Sequence, residues 1–243
     1  MVSVVVPVYN SETTLRELVS RLAVVLPRTT DSFEVVLVND GSRDGSWQTI
    51  VELAQAYSFV RGLDLQHNYG QHNALLAGIR AARGNSIVTM DDDLQHPPEE
   101  LPRLLTALTD DVDVVYGRPR TLAHPLWRNL ASRLARFLLE NVMGVEAAGH
   151  FSAFRAFRAE LRSAFANFRG PILFIDALLA QSTRRFKWVT VEHRPRQGRS
   201  SYSLGKLVRF ALRMFAGFSL ISKYRARSPL TEQHPYLVRQ EIP

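Results

Sequence analysis

The 243-residue sequence predicts an α/β protein with a mostly parallel sheet flanked by helices. Three observations carry this. Short β-branched runs alternate with segments of helical spacing as far as residue 117. Charged residues collect just beyond the ends of those runs. Hydrophobic residues make up 46% of the chain, enough to build a core.

The elements follow in order. "VSVVVPV" (2–8) is a continuous apolar run, the pattern of a strand buried on both faces. Leu15, Leu18, Val19, Leu22, Val25 and Leu26 recur with helical spacing over 12–26, and Pro27 ends that helix. "FEVVLVND" (33–40) is a second buried strand, broken by the turn-rich "DGSRDGS", where Asp44 is placed to cap the next helix. A helix over 46–57 and a strand over 59–65 come next. Residues 68–85 read as a helix closed by Gly84. "SIVTM" (86–90) is a fourth strand, and Pro98 starts a helix with Glu99 and Glu100 in its first turn. Residues 111–117 form a fifth strand.

Beyond 118 the alternation weakens. The pattern predicts an Arg-studded helix over 125–141 and a strand over 150–157. A helix over 170–182, a strand over 186–196 and a helix over 203–222 follow. The tail from Ser228 is polar and is expected to be loose. No linker or internal repeat divides the chain, so 1–222 reads as one domain, its first half being 1–117, with 223–243 as tail.

Bulk properties exclude some functions. The chain has no cysteine, so neither a disulfide framework nor a thiolate metal site is available. The net charge is +7, and only Lys187, Lys206 and Lys223 among 30 basic residues are lysine. Arginine-rich surfaces suit phosphate groups. No segment interleaves aromatic and basic residues as a nucleic-acid reader does. The amino-terminal run has no signal-peptide pattern, and no uncharged apolar stretch is long enough to span a membrane.

Candidate chemistry sits at the predicted strand ends, where parallel sheets bind ligands. Asp91, Asp92 and Asp93 are adjacent, so each charge opposes its neighbour. If the segment is extended, Asp91, Asp93 and Gln95 share one side and Asp92 faces away. Oxygen ligands of that kind suit Mg²⁺ or Mn²⁺. Neither a P-loop nor a dinucleotide fingerprint is present, so Asp40 reads as an acceptor for a base or ribose donor, or as a turn residue. Arg118, Arg128, Arg133, Arg155 and Arg194 are candidate phosphate contacts. Arg155 lies in an apolar-alternating segment, where an unpaired charge is costly. Asp176, within an apolar helix, either pairs structurally or faces the cleft. The histidines show no metal spacing.

Taken together, "VSVVVPVYNSE", "VVLVNDGSRDGS", "NYGQHNALLAGIRAARGN", "VTMDDDLQHPPEEL" and "DVVYGRPR" resemble the family 2 glycosyltransferases of GT-A, Rossmann-like fold. Within these the chain is most similar to the polyprenyl-phosphate glycosyltransferases. "SAFRAFR" and "EHRPRQGRSSYSLGKL" extend the likeness to residue 222. The resemblance implies an inverting, metal-dependent transfer of a sugar from a nucleotide-sugar, with UDP the expected carrier and Mg²⁺ or Mn²⁺ the cofactor. The acceptor it implies is a polyprenyl phosphate at the cytoplasmic face of the cell membrane. A soluble acceptor is the alternative.

By the same resemblance, Pro7, Tyr9, Asn10, Glu12, Asp40, Gly41, Ser42, Gln71, Asp91 and Asp92 bind the donor. Asp91, Asp93 and Gln95 hold the metal. Asp93, Arg118 and Asp176 are catalytic, with Asp176 a candidate base for a hydroxyl acceptor. Arg128, Arg133, Arg155, Arg194 and Ser201 contact acceptor or phosphate. The chain departs from the pattern at Ala153, where Gly is common, and at Ser201, where Lys is common. The first half is then the nucleotide-sugar half, and 118–222 the acceptor-side half with C-terminal helices. Lys206, Arg209 and Arg213 lie on one side of the last helix, which suits a membrane interface, and a homo-oligomer stays open.

Overall fold

A computed structural model describes residues 1–120, 151–166, 174–193 and 236–243. The helices expected over 125–141 and 203–222 lie outside the described residues, as do Arg128, Arg133, Arg194 and Ser201.

Eight strands form one sheet: β1 (Val2–Val8), β2 (Phe33–Asn39), β3 (Val60–Leu65), β4 (Ser86–Thr89), β5 (Val114–Pro119), β6 (Arg155–Arg158), β7 (Phe186–Val191) and β8 (Val238–Ile242). Their order is β7-β5-β6-β4-β1-β2-β3-β8. Pairs β1–β2, β1–β4, β2–β3 and β5–β7 are parallel. Strand β6 runs antiparallel to both β4 and β5, and β8 antiparallel to β3.

Helices cover both faces, as parallel strands require. On one side α1 (Glu12–Val25), α2 (Ser46–Ala56) and α4 (Leu101–Ala107) bury Leu15, Leu18, Leu22, Ile50 and Leu104 against the sheet. On the other, α3 (Gln71–Ala81) and α5 (Ile175–Ser182) bury Leu75, Leu76, Ile79, Ile175 and Leu179. All seven residues of β1 are buried, as its uninterrupted apolar run predicts.

Pro7 sits in the centre of this sheet, where a missing N–H normally costs a ladder bond. The register explains its tolerance. The Val5 carbonyl accepts from Met90 N–H, and the Val8 carbonyl from Asp40 N–H, so odd residues of β1 face β4. Pairing with β4 ends at Val5↔Thr89. The nitrogen of Pro7 therefore lies beyond the last β1–β4 pair, so no residue paired within β4 loses a ladder bond to it.

The sequence reading differs from the structure at several boundaries: the strands expected over 111–117 and 150–157 are Val114–Pro119 and Arg155–Arg158, and two further differences bear on the site. The tail is not loose throughout: residues 238–242 form β8 and cover the β3 edge. The predicted 68–85 helix is shorter, because Gly70 at φ 89° holds residues 68–70 as a loop before α3.

Candidate active site

The loops after β1 and β2 are stitched together by their polar side chains. Asn10, at φ 54°, accepts from Arg43 N–H at 2.8 Å, and its own N–H donates to Ser42 Oγ at 3.0 Å. Ser11 N–H donates to Ser46 Oγ at 2.9 Å. Glu12 accepts from Gly45 N–H at 3.0 Å. Asp44 accepts from Ser46 N–H in the first turn of α2 and from Glu12 N–H. The Asn, Ser and Asp residues read as turn formers thus join two strand ends into one rim.

Asp40 clamps a third loop to that rim. It is 3% exposed, and its two oxygens accept the N–H groups of Tyr69 and Gly70 at 2.7 and 2.9 Å. Burial raises its pKa, and those two bonds partly offset the rise. A buried carboxylate at a strand end needs such partners. The structure thus turns Asp40 toward loop amides rather than toward open solvent.

Between these loops lies a groove of about 380 Å³. Tyr9, Gly41 and Ser42 line it, as do Trp47, Gln66 and Arg239. Gly41, at φ 64°, lies where a Cβ would come within 2.6 Å of Asn68 N and His67 C. Of the expected donor-binding residues, Tyr9, Gly41 and Ser42 reach the groove. Pro7 is buried in β1, and Glu12 is committed to the loop.

The acidic run adjoins the groove. It is not extended: residues 92 and 93 form a turn, and Leu94 adopts φ 58°. The strict alternation of side chains expected for an extended strand therefore does not apply. Instead, Gln71 at the start of α3 donates to Asp91 Oδ1 at 2.7 Å, and Tyr9 N–H donates to Asp92 Oδ2 at 3.3 Å. Gln95 N–H donates to Asp93 Oδ1 at 3.1 Å. Asp92 has its pKa pushed up to about 6, chiefly by burial, with the Asp93 charge adding to the rise.

These residues fit a hard divalent cation. Every available donor in the turn is oxygen, and the adjacent carboxylates repel one another. Among the described residues, no three histidine or carboxylate side chains close on one point. An ion here would draw its remaining ligands from water or substrate phosphates, as Mg²⁺ commonly does.

Of the two readings left open for Asp176, the structure shows the paired one, with Arg155 as the partner. Arg155 is 1% exposed, donates from Nε to Thr89 Oγ1 at 2.9 Å and pairs through Nη1 with Asp176. Asp176, 5% exposed, also accepts from the Tyr116 hydroxyl at 3.0 Å. The pair meets inside the sheet–α5 layer, where neither charge is tolerable alone. Arg155 therefore presents no fork to a solvent-borne phosphate in this arrangement, and Asp176 holds no exposed carboxylate. Arg118, by contrast, is exposed on β5.

Sequence reasoning overlooked Trp47, Gln66 and Arg239. Trp47 and Gln66 follow the ends of β2 and β3, so the strand-end rule points to their neighbourhood. Arg239 carried no local signal.

The fold and this strand-end site define a GT-A-type domain. The glycosyl transferase family 2 model matches residues 3–165, and the chain belongs to that family. It is 37% identical over 210 residues to an undecaprenyl-phosphate 4-deoxy-4-formamido-L-arabinose transferase of Aeromonas hydrophila, covering 86% of this chain and 64% of the relative. The corresponding protein of Yersinia enterocolitica is 35% identical over 209 residues, covering 85% and 64%. The chain thus spans a little under two thirds of the length of these relatives. Among solved structures, glucosyl-3-phosphoglycerate synthase from Mycobacterium tuberculosis, in complex with Mn²⁺, UDP-glucose and phosphoglyceric acid, superposes with a TM-score of 0.65 at 19% identity. That match covers 90% of this chain and 80% of the other, and it shows the shared fold.

Proposed function

We propose that this chain is an inverting glycosyltransferase that moves a sugar from a nucleotide-sugar, with UDP as carrier, to a polyprenyl phosphate. One observation carries the reading. Tyr9 lines the groove and donates its N–H to Asp92, so a groove of about 380 Å³ and an acidic turn share one residue. A nucleoside diphosphate joins those two chemistries in one molecule. The likeness to undecaprenyl-phosphate transferases supports the lipid acceptor.

On this reading Tyr9, Gly41 and Ser42 hold the nucleoside. Asp91, Asp93 and Gln95 hold Mg²⁺ or Mn²⁺, which when bound offsets the charge that develops on the departing diphosphate. Gln71 orients Asp91 through its amide. Arg118 is exposed and forms no ion pair with a carboxylate among the described residues, so it suits the same developing charge. The acceptor oxygen attacks opposite the leaving group, which inverts the anomeric centre. A phosphate acceptor is already ionised and needs no general base, in keeping with an Asp176 held by Arg155 and Tyr116. Arg128, Arg133, Arg194 and Ser201 are proposed for the acceptor side, with 203–222 resting on the inner face of the membrane. No described helix is long and apolar enough to cross a membrane.

A soluble acceptor is the second reading, favoured by Ser201 at a position where the resemblance to polyprenyl-phosphate glycosyltransferases implies Lys. Purified protein is incubated with Mn²⁺, radiolabelled UDP-sugars and undecaprenyl phosphate, then extracted into butanol. Label in the lipid phase is expected, and Asp91→Asn with Asp93→Asn lowers its rate by about 10²-fold or more. No lipid label with any of several donors would overturn the lipid acceptor. Full activity of the double variant would overturn the metal role.

A further inference from the structure

We propose that Arg239, carried by β8, is a specificity-determining residue of the nucleotide groove and selects bases with a carbonyl, uracil O4 or guanine O6, at the position where cytosine and adenine carry an amine. The inference rests on the proposed donor chemistry and deepens it.

The register of β8 against β3 singles out this residue. Leu63 pairs with Glu241 and Asp64 with Gln240, but Leu65 pairs with Val238. The ladder skips Arg239, which is the extra residue of a bulge. A bulge re-aims the side chain it carries, and bulges gather beside binding sites. Here it sends a guanidinium from the edge strand into the wall of the groove.

Arg239 is also wired to the groove's loops. Its Nη2 donates to the Gln66 carbonyl at 2.9 Å, and Nη1 lies 3.5 Å from Asp64 Oδ2. Asp64 accepts from Asn39 Nδ2 at 2.7 Å, and Asn39 Oδ1 accepts from Ser42 N–H at 3.2 Å. This chain of contacts runs from β8 to the residue that holds Asn10.

Docking of β8 has other anchors. Glu241 pairs with Arg61 at 2.7 Å, Tyr236 lies under Arg80 at 5.6 Å, and Leu237 accepts from Gln66 N–H at 3.0 Å. The Arg239 side chain is 62% exposed, more than a strand anchor requires. Arginine has five N–H donors and no acceptor, so it rewards carbonyl oxygens and not exocyclic amines. Uracil and guanine carry the matching carbonyl where cytosine and adenine carry an amine. Tyr9 and Trp47 supply aromatic surface for the ring.

The test compares binding of UDP with CDP, and of GDP with ADP, each with Mn²⁺, by titration calorimetry on the full chain. The native protein is expected to favour the member with the 4- or 6-carbonyl, UDP over CDP and GDP over ADP. Arg239→Ala lowers that member's affinity about tenfold and leaves the amine-bearing member within about twofold. Arg239→Lys, which keeps charge but loses the fork, loses selectivity as well. Glu241→Gln, which loosens β8 away from the groove, preserves the ratio. Unchanged ratios in both Arg239 variants, or an equal collapse in Glu241→Gln, would overturn the inference while leaving the donor reading intact. Absence of binding by any nucleoside diphosphate to the native protein would sink the donor reading, and this inference with it.

Discussion

The Tyr116 hydroxyl donates to Asp176 Oδ1 at 3.0 Å within the core, on the same carboxylate oxygen that pairs with Arg155. Three elements, β5, β6 and α5, meet through this single carboxylate. Removing one charge strands the other. Asp176→Ala is expected to cost about 3–5 kcal/mol in urea unfolding. Tyr116→Phe costs about 1 kcal/mol. Arg155→Met combined with Asp176→Leu recovers most of the loss, because neither buried charge then remains. A double variant no more stable than Asp176→Ala would show that the pair does more than neutralise itself.

Gly41 is required by both its dihedral and its neighbours. Ala at φ 64°, with backbone atoms 2.6 Å from its Cβ, separates the loops after β2 and β3. Gly41→Ala is expected to cost about 1–3 kcal/mol and to weaken nucleotide binding more than that loss alone explains. Thermal melts with and without UDP separate the two effects.

Acid destabilises this protein in two stages. His72 has its pKa lowered to about 4, chiefly by burial, against an ordinary 6.5. As pH falls from 6.5 toward 4 the unfolded chain takes up that proton and the folded chain does not, so stability falls by up to about 1.4 kcal/mol per pH unit. Glu34 follows at lower pH. Burial raises its pKa, but bonds from Ser3, Arg83 N–H and Arg61 outweigh this and hold it below 4.5. Its contribution is complete above 4.5 and is lost as pH drops through the folded value. His96, also lowered to about 4 by burial, adds the same slope over this window, and Asp92, raised to about 6, opposes both. His72→Phe, which keeps the ring contact with Phe174, is therefore expected to remove only its own share of the first stage and spare the second. Chemical unfolding from pH 8 to 2 reads both slopes.

Chelation tests the acidic turn. Excess EDTA is expected to abolish transfer, with Mn²⁺ or Mg²⁺ restoring it. Gln71→Ala releases Asp91 from its 2.7 Å partner. It should raise the metal concentration needed for half-maximal rate severalfold, with little change in the rate at saturation. An unchanged metal requirement in Gln71→Ala would separate Asp91 from the ion.

The buried strands and the strand-end rim were legible because each needs only local information. Six apolar residues and one serine in β1 declare a strand buried on two faces, and "NDGSRDGS" declares a turn. Three features were not. Asp176 and Arg155 lie 21 residues apart, and nothing local says that one charge will find the other inside the core. The Asp91–Gln95 run was read as extended because strand SIVT precedes it, yet Leu94 turns left-handed. Strand β8, "VRQEI", is polar and mostly exposed, so only its pairing with β3 identifies it.

That last pairing has a consequence for biosynthesis. Gln66 and Arg239 are 173 residues apart in the chain. At ribosomal rates of about 5–20 residues per second, the outer edge of β3 waits roughly 9–35 s before its partner strand is made. An unpaired strand edge is a template for wrong partners. The nascent protein is therefore most prone to aggregate in that interval, and a holdase chaperone binding β3 during translation would raise the yield of native enzyme.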